Sequence, residues 1–105
     1  MSNLILSLPD AISYSESGIL SKVLFKDESC QYTLFCLSAG TEIEEHTSTR
    51  NAMVQVLEGT GQLWLEKEEV TLTAGKFILM PANIPHALKA ESNLAFLLTL
   101  SERVE

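Results

Sequence analysis

Hydrophobic and polar positions along this chain come in short bursts separated by turn chemistry. Runs rich in Leu, Val, Ile, Phe and Thr occupy Ile19–Lys26, Cys30–Ser38, Ala52–Glu58, Gln62–Glu66, Val70–Thr73, Phe77–Met80, His86–Ala90 and Leu94–Leu100. Several alternate with period two: Leu63 and Leu65 flank Trp64, and Val70 and Leu72 alternate with Thr71 and Thr73. Between them lie clusters such as Asp27-Glu28-Ser29, Glu58-Gly59-Thr60-Gly61 and Pro81-Ala82-Asn83-Ile84-Pro85, residue types that tolerate turn dihedrals or solvent. About eight short strands spaced this way predict an all-β barrel or sandwich. After Leu20 no stretch keeps a helical period for three turns, and a short helix near Pro9–Tyr14 is the one helical expectation.

Composition narrows the picture. The 105 residues suffice for one domain, 1–105, around one core. With 46% hydrophobic and 20% charged residues the balance is globular, which excludes a disordered chain. Fourteen acids against seven bases give a net charge of -7, so nucleic acid and anionic membrane are poor partners. The longest apolar runs, such as Leu94–Leu98, fall far short of a bilayer span. The N-terminal segment has no basic residue before Lys22 and is interrupted by Ser7 and Pro9, unlike a signal peptide. Cys30 and Cys36 share one face of a straight strand, roughly 20 Å apart, too far to bridge. Two free thiols and no signal peptide make the cytoplasm the expected compartment.

Chemistry concentrates at two histidines, His46 and His86, the only two in the chain. His46 ends Gly40-Thr41-Glu42-Ile43-Glu44-Glu45-His46, and Gly59 follows thirteen residues on. His86 ends the stretch that runs from Gly75 through Pro81 and Pro85. The first segment, about 40–59, resembles the first motif of the small cupins, and the second, about 75–90, resembles their second motif. The resemblance implies a cupin fold, a double-stranded β-helix or jelly-roll barrel of six to eight strands, and a homodimer paired through outer sheet strands. It also implies a metal site built from two His and a Glu of the first motif and one His of the second.

The departures are as informative as the match. Ser48 stands where the second His would be, Ala52 where the Glu would be, Asn83 in place of a Gly and Ala90 in place of an Asn. A catalytic divalent metal generally has three protein ligands, and two neutral imidazoles bring no charge to offset a dication. Glu44 lies two residues before His46, so in an unbroken strand the two share a face, and Glu44 is the candidate substitute ligand. The expectation is therefore a barrel with either no cofactor or a weakly held divalent transition metal on His46 and His86. A small-molecule ligand would occupy a pocket formed by His46, Ser48, Ala52, Val54, Met80 and His86, with Met53 and Val56 as further apolar wall. The alternatives are a metal-dependent enzyme of dioxygenase or isomerase type and a non-catalytic dimeric regulatory module. Gly59-Thr60-Gly61 reads as a hairpin turn rather than a phosphate loop, since no helix-forming segment follows it.

Overall fold

The computed structural model describes residues 3–102. A four-residue helix, α1 (Leu8–Ala11), precedes nine strands: β1 (Ile19–Lys26), β2 (Cys30–Leu37), β3 (Glu42–His46), β4 (Asn51–Glu58), β5 (Gly61–Leu65), β6 (Glu68–Leu72), β7 (Phe77–Met80), β8 (His86–Ala90) and β9 (Leu94–Ser101). They form two antiparallel sheets, one in the order β1-β2-β9-β4-β7 and the other in the order β3-β8-β5-β6. The chain crosses between the sheets rather than completing either one in sequence, the arrangement of a jelly roll. The strand absent from the sequence reading is β3. Three of its five residues are Glu, so it carries no apolar run to betray it.

Period-two alternation sets the core. On β4, Ala52, Val54 and Val56 face inward and are buried, while Met53 and Gln55 point out. Met53 is thus on the outer face and contributes nothing to the cavity wall expected of it. Val56 is packed in the core away from the cavities. Strand β2 is apolar on both faces because both are covered. Thr33, Phe35 and Leu37 face the barrel interior, whereas Leu34 and Cys36 lie under Ala11, Ile12 and Tyr14 of the N-terminal segment. Tyr14 fastens that segment by donating its hydroxyl to Glu58 Oε2 at 2.7 Å. Burial, and then the Glu58 carboxylate, push the phenol well above its ordinary range. Both cysteines are free, Cys36 fully buried and Cys30 half-buried.

The β7–β8 connection positions His86. Its Asn83 adopts φ +70°, a left-handed conformation that Asn tolerates better than other residues with a Cβ, which explains how Asn stands where a Gly is usual. The Asn83 amide donates to the Ser48 carbonyl at 2.7 Å, and the Ala82 amide donates to Asn51 Oδ1 at 2.9 Å, so the loops after β3 and β7 are tied together. Asn83→Gly is expected to change stability by less than about 0.5 kcal/mol, and Asn83→Val to lower it by roughly 1–2 kcal/mol, as read by urea denaturation. Equal losses for both would show that the Asn side chain, not the backbone angle, matters there.

Candidate ligand site

His46 and His86 are direct cross-strand partners on β3 and β8. They lie side by side in one ladder, not opposite each other across the barrel mouth. Their ring centroids are 4.1 Å apart in an edge-to-face arrangement. A bulge between Ile43 and His46 creates this pairing. Ile43 faces the interior and Glu42 pairs on the outer face with Lys89 at 3.9 Å, so strict alternation would turn His46 outward. The extra residue turns it back in. The same bulge overturns the parity argument for Glu44. Its side chain lines a shallow outer groove with Glu42, Trp64 and Lys89, and it is not a ligand beside His46.

Each imidazole is held in one tautomer. His46 Nδ1 lies 2.9 Å from the Glu44 carbonyl oxygen, and His86 Nδ1 lies 2.9 Å from the Ile84 carbonyl oxygen. A carbonyl can only accept, so both Nδ1 atoms carry the proton, and both Nε2 atoms keep a free lone pair when the rings are neutral. Burial lowers the pKa of His86 from 6.5, nearby His46 lowers it further, and the bond to Ile84 opposes the shift. A His with a depressed folded pKa binds fewer protons than the unfolded chain in acid. This group's contribution to stability is therefore complete above pH 6.5 and diminishes as pH falls below it.

Two cavities meet at this pair. The inner one, about 240 Å³, is walled by nine apolar side chains and by the two imidazoles. Phe35 and Phe96 form its floor as a stacked pair, with centroids 5.3 Å apart and planes 13° from parallel, and Val54 and Met80 stand on its wall. The outer vestibule is bounded by Thr47, Ser48, Thr49 and Ala52, again with both histidines. The structure thus places all six pocket residues expected from sequence on these two walls, Val54 and Met80 inside, Ser48 and Ala52 outside, and the histidines at the junction. Sequence reasoning missed Phe96, Leu63 and Leu88. Phe96 was reachable in principle, because it pairs with Phe35, but only once the β2–β9 register is known.

The site does not fit a divalent metal. Among the described residues no three His, Cys, Asp or Glu side chains come together. Ala52 brings no carboxylate to the vestibule, and the Ser48 hydroxyl accepts from the Arg50 amide at 3.1 Å. Two neutral imidazoles in an otherwise apolar wall offer neither the ligand number nor the charge that a dication needs.

The comparisons with known proteins agree with this architecture. The cupin-domain family matches residues 33–100. A solved structure of a conserved protein of unknown function from Streptococcus pyogenes is 32% identical, with a TM-score of 0.87 over 96% of this chain and 89% of that one. A cupin 2 conserved barrel domain protein from Leptotrichia buccalis is 31% identical, with a TM-score of 0.86 over 92% of this chain and 47% of the longer one. A cupin superfamily protein from Desulfitobacterium hafniense shares the fold at 21% identity, with a TM-score of 0.87 over 92% of this chain and 89% of that one. No curated protein matches the sequence. Among the described residues no helix is long and apolar enough to cross a membrane. The family match over residues 33–100, with the nine strands of the described residues in two antiparallel sheets, establishes that this chain belongs to the cupin family.

Proposed function

We propose that the barrel binds a small, uncharged organic molecule with an apolar body and one hydrogen-bond donor. The observation that carries this reading is the inner cavity, whose only polar groups are two imidazoles with Nε2 free to accept. A dry cavity of about 150 Å³ already takes benzene, so about 240 Å³ has room for a substituted single ring. Among the described residues no Lys or Arg lines either cavity, and the chain carries a net charge of -7, which disfavours an anionic ligand. The hydroxyls of Thr47, Ser48 and Thr49 suit a polar substituent reaching outward. This binding requires no metal. The dioxygenase or isomerase reading needs ligands this site does not hold, and a purely regulatory module needs no ligand at all.

Calorimetry with p-cresol and toluene separates these readings. p-Cresol should bind at pH 8 with Kd on the order of 0.1 mM, a value ordinary for a ligand of this size. Toluene, which lacks the donor, should bind at least about tenfold more weakly. At acid pH below the lowered pKa of His86 the preference for p-cresol should shrink, because protonation of His86 removes an imidazole lone pair that accepts its hydroxyl. Equal binding of both probes at both pH values would show that the histidines do not read the ligand. No binding of either would remove the proposal.

A further inference from the structure

The histidine pair stands where two unlike chambers meet. On its inner side the wall is hydrocarbon, and on its outer side Thr47, Ser48 and Thr49 bring hydroxyls. The Ser48 oxygen accepts the Arg50 amide at 3.1 Å, which leaves the Ser48 hydroxyl hydrogen free to donate to another acceptor. A molecule spanning both chambers would keep its apolar body inside and a polar oxygen among these hydroxyls. The atoms between the two would lie beside the imidazoles.

Those imidazoles are bases as well as hydrogen-bond acceptors. With Nδ1 committed to a backbone carbonyl, each neutral ring keeps Nε2 as its basic atom. His86 is the better placed of the two, because it is half-buried where His46 is exposed, so water competes less for its lone pair. Burial also keeps the His86 ring neutral, in its basic form, through neutral pH. Of the strands paired with β8, β3 sets His46 opposite His86 and β5 sets Leu65 there. Among the described residues no titratable side chain other than the two histidines lines either chamber.

From this placement we infer that the barrel acts as a general base toward carbon: His86 Nε2 removes a proton from the carbon next to the carbonyl of a small uncharged ketone, and the keto and enol forms interconvert. The inference rests on the ligand reading above and adds a reaction to it, since the enol is an apolar molecule with one hydroxyl donor. In the step, the Nε2 lone pair takes the proton and the C–H electron pair becomes the C=C bond of an enolate. The carbonyl π pair moves to oxygen, where a vestibule hydroxyl donates to it. The imidazolium then returns its proton to oxygen, giving the enol, or to carbon, restoring the ketone. Nothing is oxidised or reduced, and no co-reactant is consumed.

Cyclohexanone in deuterium oxide, followed by proton NMR, reads the step as loss of the α-hydrogen signal while solvent deuterium replaces the abstracted proton. Near neutrality the full chain should exchange these hydrogens on the order of a hundredfold faster than an equal concentration of free imidazole. p-Cresol should suppress the exchange, because it occupies the same chamber. His86→Gln should lower the rate at least about tenfold. Glu44→Gln, whose side chain lies in the outer groove, should leave the rate unchanged. The wild-type rate should fall in acid with a midpoint below the ordinary 6.5 of a histidine, a readout that needs no folded variant. A rate no greater than that of free imidazole, exchange that p-cresol leaves untouched, or a folded His86→Gln variant as fast as wild type would each overturn the inference. A protein that binds p-cresol but does not speed exchange would refute the reaction alone, whereas one that does neither would take the ligand reading down with it.

Discussion

Gly59→Ala should cost about 3–4 kcal/mol of stability, enough to unfold a large fraction of a domain this size. Gly59 opens the turn that carries the chain from β4 into β5, and its φ is +92°, which costs a residue with a Cβ roughly 1–2 kcal/mol. Contact adds to that cost. A Cβ on Gly59 would fall far inside van der Waals contact distance of the Asn93 carbonyl oxygen and stand 2.8 Å from Leu94 Cα, both backbone atoms that cannot swing aside. Those atoms belong to the β8–β9 turn, whose neighbour Ser92 accepts the Thr60 amide through its hydroxyl at 2.9 Å. The two sheet-crossing turns are thus packed backbone to backbone, and forcing them apart adds an overpacking cost of about 1–3 kcal/mol. Urea denaturation of the purified variant measures the loss. A change below about 1 kcal/mol would mean that the turns are not in contact as described.

The second large effect is a gain. Ser48→His combined with Ala52→Glu should raise affinity for Ni or Mn on the order of a hundredfold or more over the wild type. Both positions border the same vestibule as His46 and His86, and Ala52 is buried beside them, so two further donors would join the existing pair. The glutamate supplies the negative charge that the wild-type site lacks, and the new histidine raises the set to four. Calorimetry on both proteins decides it. A folded double variant that binds no better than wild type would show that these side chains do not converge. A wild type retaining stoichiometric metal after chelator dialysis would reverse the assignment of the site as metal-free.

The fold was legible because turn residues punctuate the chain and inward positions alternate, as Ala52, Val54 and Val56 do. What escaped notice was hidden for physical reasons. Strand β3 is Glu-rich because its outer face is solvated, and its bulge inverts the parity on which the Glu44 argument rested. A bulge leaves no mark in composition. The histidines were visible from spacing, but their tautomers depend on carbonyls two residues back along the chain, one in β3 and one in the β7–β8 loop. The aromatic floor of the cavity is a matter of register between β2 and β9, strands separated by more than half the chain, and no local pattern specifies it.

Nitrogen-15 NMR of the two imidazoles, with and without p-cresol, tests the central claim most directly. At pH 8 both rings should show a protonated Nδ1 and a bare Nε2, as their 2.9 Å contacts to backbone carbonyls require. Saturating p-cresol should move at least one Nε2 resonance together with the methyl signals of Met80 and Val54, which line the same chamber. Nε2-protonated tautomers in the free protein, or p-cresol that perturbs neither the imidazoles nor those methyls, would contradict the account.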